Sequence, residues 1–515
     1  MSTLPLAWET ASLSEVCTRI VDGSHNPPKA SNSGLPMLSA RNINDFQIVF
    51  DEYRLVSESD FAAEHLRTNV ASGDVLLTIV GTIGRTAVVP VGSRPFVLQR
   101  SVAVLKPRGI DARYIAYALQ SPSCQQWLTD NAKGTAQKGI YLKSLGTTAI
   151  PIAPRPEQTR IVEKLEELLS DLEAGVAELK AAQKKLALYR QSLLKAAVEG
   201  ALTADWRARR ATRGEALETG ADLLARILTE RRARWEARQL AKFKEQCKTP
   251  PKGWQAKYPE PAGPDSAGLP SLPKGWKWGC LDQLITESSY GTSVKCSYES
   301  SGPPVLRIPN VVAGSIDLSD LKFATQALDI DQSEFLAPGD LLVVRTNGSV
   351  NLVGRAAVVP TSEMRSLYFA SYLLRLRCVL PFIIPSWIST FMASIQGRNW
   401  IERRAASSAG QHNISLSTLL TMPIPLAPLA EQAATLEALQ QETQTIVEQE
   451  QATGIALKQS AAQRKNLLKA AFSGQLVPQD PNDEPASTLL ARIRAERETR
   501  VSGSKIRRPR KTSHA

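Results

Sequence analysis

The stretch EQTRIVEKLEELLSDLEAGVAELKAAQKKLALYRQSLLKAAVEGALT, from Glu157 to Thr203, organises the chain. Ile161, Leu165, Leu168, Leu172, Leu179, Leu186 and Leu193 recur at three- and four-residue steps, with Gly175, Ala182 and Tyr189 in the remaining places. That period puts them on one stripe of a single long helix, and such a stripe needs a partner. The chain supplies one. A second helical stretch opens at Glu431-Gln432 and closes on RKNLLKAAFSGQLV (Arg464 to Val477), echoing RQSLLKAAVEGALT (Arg190 to Thr203). The offset is equal at both ends, 431 − 157 = 274 and 464 − 190 = 274, so these are two copies of one helical element.

The repeat extends outward. LPLAWETASLSEV (Leu4 to Val16) matches LPKGWKWGCLDQL (Leu272 to Leu284), with Trp8 opposite Trp276 and Leu13 opposite Leu281, both 268 apart. GLPMLSARNIN (Gly34 to Asn44) matches GPPVLRIPNVV (Gly302 to Val312), and GDVLLTIVGTIGRTAVVP (Gly73 to Pro90) matches GDLLVVRTNGSVNLVGRAAVVP (Gly339 to Pro360). AQKGIYLKSLGTTAIPIAPRPEQ (Ala136 to Gln158) aligns with AGQHNISLSTLLTMPIPLAPLAEQ (Ala409 to Gln432) after a one-residue slip. Half of the protein is therefore a second edition of the other half. In each copy, short β-branched runs (Val75 to Val80, Thr86 to Val89, Val102 to Leu105, Leu341 to Val344, Ala356 to Val359) predict strands. Ala112 to Trp127 and Ser386 to Trp400 predict helices beside them.

The expected architecture is mixed α/β (α+β), with two duplicated globular domains separated by two long antiparallel helices in a pseudo-two-fold arrangement. Its segments are 1–153 and 272–427 (globular), 154–248 and 428–500 (helical), 249–271 (a Pro/Gly-rich linker) and 501–515 (a basic disordered tail). Gly220 to Gln246 predicts a further helix, and ADLLARILTERR (Ala221 to Arg232) is echoed by STLLARIRAERE (Ser487 to Glu498). A helix of about 40 residues is about 60 Å long, enough to hold two DNA-reading modules on successive major grooves.

A net charge of +12 and a pI near 9.4 point to a polyanionic partner. Six scattered cysteines without a CxxC pair fit a reducing compartment. No apolar run reaches the roughly 18–20 residues of a membrane span, and Met1 to Thr10 lacks a signal-peptide pattern, so a cytoplasmic protein is expected. His25, His65, His412 and His514 show no metal-ligand spacing. Gly81 and Gly84 lack the rest of a nucleotide-binding fingerprint, no GxxxxGK[ST] occurs, and Lys29 follows Asn26-Pro27-Pro28 where base-methylating enzymes need an aromatic. A binding protein without catalytic or metal residues is expected.

Reading DNA requires Arg, Lys, Asn, Gln, Ser and similar side chains on loops that reach a groove. In the first copy the candidates are Ser24, His25, Lys29, Arg41, Asn42, Thr82, Arg85, Arg100, Lys133, Gln137, Lys138, Tyr141 and Lys143. In the second they are Lys295, Arg307, Asn310, Arg345, Asn347, Ser349, Arg355, Arg398, Arg403, Arg404, Gln411, His412 and Asn413. Any single one is more often a solvated surface group; as clusters they carry the argument. The frame repeats while these loops do not: TIVGTIGR stands opposite VRTNGSVNLVGR, and TAQKGIY opposite SAGQHNI. Two modules with one frame and unlike loops should read two different half-sites.

The chain resembles the specificity subunit of type I restriction-modification enzymes. The resemblance rests on LPxxW at each start, DGSH at Asp22 to His25, the GD-plus-apolar strand followed by GR, PIAPRPEQTRIVEKLEELL and PIPLAPLAEQ before each long helix, and LLKAAVEGAL and LLKAAFSGQL after it. It covers Leu4 to Arg500, with only YGTS (Tyr290 to Ser293) opposite DGSH. It implies two target-recognition domains, a helical spacer that docks two methyltransferase subunits, and motor-nuclease subunits beyond them. S-adenosylmethionine, ATP and Mg²⁺ would be held by those partners, and this chain would bind no cofactor and catalyse nothing. A coiled-coil scaffold with nonspecific DNA affinity, and a single-chain DNA methyltransferase or nuclease, are the competing readings.

Overall fold

The computed structural model describes residues 4–44, 46–134, 137–215, 218–265, 267–312, 314–328, 330–360 and 366–506. The long apolar stripe forms a helix over Arg155–Val198, and its echo a helix over Leu429–Ala471. The chain divides into two units, Met1–Ala181 with Thr453–Ala515 and Ala182–Ala452, so each unit owns one half of each long helix. In the first unit Leu165 and Leu169 share a core with Leu468 and Ala471, and Arg464 Nη1 lies 2.7 Å from Glu173 Oε1. In the second, Leu193 and Ala197 pack on Leu439 and Ile446, and Arg190 Nη2 lies 3.0 Å from Glu450 Oε2. Numbers rise along one helix as they fall along the other, so within each unit the two halves run antiparallel. Leu172, Leu179 and Leu186 of the predicted seam are half-buried, and Tyr189 is exposed.

The repeat is visible strand by strand. The first unit has an antiparallel sheet in the order Cys17–Asp22, Val102–Pro107, Val75–Thr78, Thr86–Val88. The second places Ile285–Tyr290, Leu373–Cys378, Leu341–Val344 and Ala356–Val358 in the same order and adds Gly314–Ile316 and Val311–Val312 at one edge. Each predicted helix breaks in two, as Ala112–Gln120 with Pro122–Asp130, and Pro385–Ala393 with Ile395–Glu402. The cause is a serine at each break. Ser121 and Ser394 adopt extended backbone, and their hydroxyls accept from Cys124 N and Gly397 N, capping a new helix.

Each domain start is tied to the start of a long helix by one indole. Trp8 Nε1 donates to Glu157 Oε2 at 3.0 Å, and Trp276 Nε1 to Glu431 Oε2 at 2.9 Å. The adjacent glutamines repeat the pattern, Gln158 Nε2 donating to Ala153 O at 2.8 Å and Gln432 Nε2 to Ala427 O at 2.9 Å. The LPxxW and Glu-Gln signatures are thus two ends of one buried contact. The echoed short helices also repeat their docking: Ala486 N donates to Ala7 O at 2.9 Å in the first unit, and Gly220 N to Gly275 O at 2.6 Å in the second. Leu489 and Ile493 enter the first core, and Leu223 and Ile227 the second.

The glutamates differ in their remaining partners. Glu431 Oε1 also accepts from Thr203 Oγ1 at 2.8 Å and from the Arg207 guanidinium, whereas Glu157 Oε1 is buried without a hydrogen bond. Burial raises the Glu157 carboxyl above its ordinary value, opposed by the Trp8 indole. A raised carboxyl contributes stability that is full below its unfolded value and is lost as pH climbs through the folded value. Glu157→Gln is therefore expected to gain stability relative to the parent as pH rises from acidic to neutral. Denaturation midpoints of both proteins across that range check it, and a constant difference would refute it.

Two expectations are corrected. The span 249–271 is not a bare linker, because Trp254 and Tyr258 are buried and pack with Trp235 from the Gly220–Glu245 helix. The aromatic residues strap it down despite its prolines and glycines. The last helix runs Ala486–Ile506, past the expected boundary at 500, and residues 507–515 of the basic tail lie outside the described residues. No helix among the described residues is long and apolar enough to cross a membrane.

Candidate nucleic-acid interface

In the first unit the strand Cys17–Asp22 leaves the sheet at Gly23, whose backbone presses on the neighbouring strand Val97–Leu98. A Cβ at Gly23 would sit 2.1 Å from Leu98 O, and one at Gly291 would sit 2.2 Å from Phe369 O, so both copies need glycine for this crossing. Ser24 N then donates to Leu98 O at 2.7 Å, as Thr292 N does to Phe369 O at 2.9 Å. DGSH and YGTS are therefore the same crossing with different side chains. It delivers His25 to a cleft of about 610 Å³ whose wall also carries Arg100, Lys133, Gln137 and Tyr141. Five predicted residues from three stretches of chain converge there. Gly139 pairs with both Val80 and Lys133, which holds the two sides of the cleft together.

Asp22 and Arg67 complete this cleft, and neither is among the candidate DNA-reading residues. Asp22 is buried, with Oδ1 2.9 Å from Arg67 Nη2 and Oδ2 2.7 Å from His25 Nε2. Asp22 was legible as the first residue of DGSH; Arg67, on the helix Glu58–Thr68, carried no local signal. Lys29, Thr82, Lys138 and Lys143 are exposed outside the cleft wall. Arg41 is exposed and pairs with Glu52 at 3.2 Å, and Arg85 reaches the Asn44 side chain.

In the second unit the corresponding bridges widen into a sheet of Thr346–Asn347, Gln411–Asn413 and Ala406–Ser408. It gathers Asn347, Gln411, His412 and Asn413, with Ser349 exposed at the following turn. Arg345 lies over the Tyr290 ring, 4.9 Å from its centroid, and its Nε donates to Asn413 Oδ1 at 3.4 Å. Tyr290 is exposed and was not among the candidates, although it begins the YGTS stretch. Lys295 is exposed and Arg355 half-buried. Arg403 and Arg404 line a separate cleft.

Several candidates prove to be buried or, like Arg307 and Arg398, half-buried and engaged by their own surroundings. Asn42 and Asn310 are buried and staple equivalent loops: Asn42 Nδ2 donates to Val49 O and Glu52 O at 3.0 and 3.3 Å, and Asn310 Nδ2 to Asp317 O and Asp320 O at 2.9 and 2.8 Å. Each Oδ1 accepts a backbone amide, from Ser39 at 2.9 Å and Arg307 at 2.8 Å. Ser24 is buried, and its hydroxyl donates to Glu64 Oε1 at 2.6 Å. Arg398 donates to Val353 O and Val350 O at 2.6 and 3.0 Å, and Arg307 donates to Asp320 Oδ2 at 2.9 Å. Polar side chains on loops satisfy either a groove or their own loop's backbone, and sequence alone does not separate the two.

Fold and surface together define a duplicated α+β scaffold in which one frame carries two unlike polar rims. Residues 5–180 match the family model described as Type I restriction modification DNA specificity domain. The chain is 26% identical over 519 residues to the type I restriction enzyme EcoKI specificity subunit of Escherichia coli (strain K12), covering 96% of each. It is 25% identical over 527 residues to the StySPI specificity subunit of Salmonella potsdam, covering 98% of this chain and 97% of that one. A solved chain from a study of complex assembly and conformational transition of the type I R-M system superposes with a TM-score of 0.62 at 18% identity, over 92% of this chain and 99% of that one. Along nearly its whole length the chain is thus similar to type I restriction-modification specificity subunits.

Proposed function

We propose that this chain selects the DNA target of a type I restriction-modification complex, each unit reading one half of an asymmetric bipartite sequence and the helices setting the gap. The observation that supports it best is the pairing of a frame repeated down to single hydrogen bonds with rims that share almost no side chains. A cationic cleft around Arg100 and Lys133 stands in one unit, and an amide-bearing sheet around Asn347 and Asn413 in the other. Such rims suit different base edges. The chain itself catalyses nothing; two methyltransferase subunits with S-adenosylmethionine, and motor-nuclease subunits with ATP and Mg²⁺, supply the chemistry, in the cytoplasm where the DNA lies.

Single-molecule methylation mapping of cells expressing the chain with its methyltransferase partner tests this. A two-part asymmetric motif with a fixed gap is the expected result, and a continuous or palindromic motif would sink the reading. Arg345→Ala should relax one position in one half of that motif, at about 1–3 kcal/mol of discrimination, and leave the other half intact.

A further inference from the structure

Arg403 and Arg404 follow the helix Ile395–Glu402 and precede the edge strand Ala406–Ser408 of the candidate reading sheet. Both are exposed, and among the described residues neither forms an ion pair, although other arginines of the same unit do: Arg307 with Asp320, Arg377 with Asp340, and Arg398 with Glu402. Arg404 is held over the Trp400 ring, 4.5 Å from its centroid. Stacking on an aromatic face fixes a guanidinium's plane and leaves its N–H edge free for an anion. Both line a cleft of about 650 Å³ with Trp400, Trp278 and Asn399.

The first unit has no such pair. Asn413 pairs with Ala406 as Gly139 pairs with Lys133, so the offset there is 406 − 133 = 273. At that offset Arg403 and Arg404 correspond to Asp130 and Asn131, and Asp130 accepts from Gln126 instead. Two cations without an ion pair among the described residues, one of them pre-oriented, therefore stand beside the second unit's edge strand at a place where the first unit carries Asp130 and Asn131. Resting on the proposed DNA-reading role, we propose that Arg403 and Arg404 form a phosphodiester clamp that grips the duplex beside the second unit's half-site without reading bases.

The test uses the full-length chain and a duplex carrying the mapped target, with one helical turn of flank on either side. Each phosphate contact contributes about 0.9 to the slope of log affinity against log salt, so R403Q/R404Q should lower that slope by about 1.8. Target and scrambled duplexes should weaken alike, R403K/R404K should keep the parent slope, and the methylated motif should not change. An unchanged slope in R403Q/R404Q with native circular dichroism would overturn the clamp, as would a changed motif, which would make these residues base readers. Loss of co-purifying subunits with an unchanged slope would likewise overturn it and assign the cleft to an acidic protein segment. Failure of the underlying reading shows separately, as a parent protein that does not prefer its target at any salt.

Discussion

Arg207→Ala is expected to destabilise the second unit by about 3 kcal/mol, the lower end for breaking a buried ion pair because this guanidinium is partly exposed. Its partner Glu431 is 1% exposed and is shared by the Trp276 indole, the Thr203 hydroxyl and the Arg207 guanidinium. Removing the cation leaves a carboxylate away from water with only neutral donors. Glu431 ties the Trp276 end of the domain to the start of its helix, so the loss should also loosen the antiparallel pairing around Leu193 and Leu439. Urea unfolding followed by tryptophan fluorescence measures the cost. The double variant R207A/E431Q should recover a large part of it, because the stranded charge is gone. A cost for R207A below about 1 kcal/mol would place the pair among surface bridges and remove its structural role. The first unit is built without this pair: at the helix-end offset, 203 + 274 = 477 and 207 + 274 = 481, which are Val477 and Pro481.

The second large effect concerns Asn42 and Asn310. Asn42→Ala or Asn310→Ala is expected to cost about 2–3 kcal/mol, because each removes at least three hydrogen bonds worth about 1 kcal/mol apiece and leaves carbonyls at Val49 and Glu52, or at Asp317 and Asp320, without their donor. A base reader would behave in the opposite way, losing sequence preference with little change in stability. Thermal unfolding and methylation mapping on the same variants separate the outcomes. A relaxed motif at unchanged melting temperature would return these residues to the DNA interface.

Equal offsets at the two ends of a helix, and Trp8 opposite Trp276, made the duplication legible in the linear order, because a repeat preserves spacing before it preserves chemistry. The apolar stripe from Ile161 to Leu193 likewise announced a partnered helix, since a 3.6-residue period is local information. Which half of each helix belongs to which unit was not local: it follows from whether a leucine meets Leu468 or Leu439, contacts hundreds of residues away.

The rims needed coordinates even more. His25, Arg100, Lys133, Gln137 and Tyr141 reach one cleft because Gly23 lets two strands approach and Gly139 pairs on both sides. Composition correctly marked those loops as polar. It left open that Asn42, Asn310, Ser24 and Arg398 would turn inward, because a loop's own carbonyls compete with nucleic acid for the same donors and only the folded backbone's position selects between them.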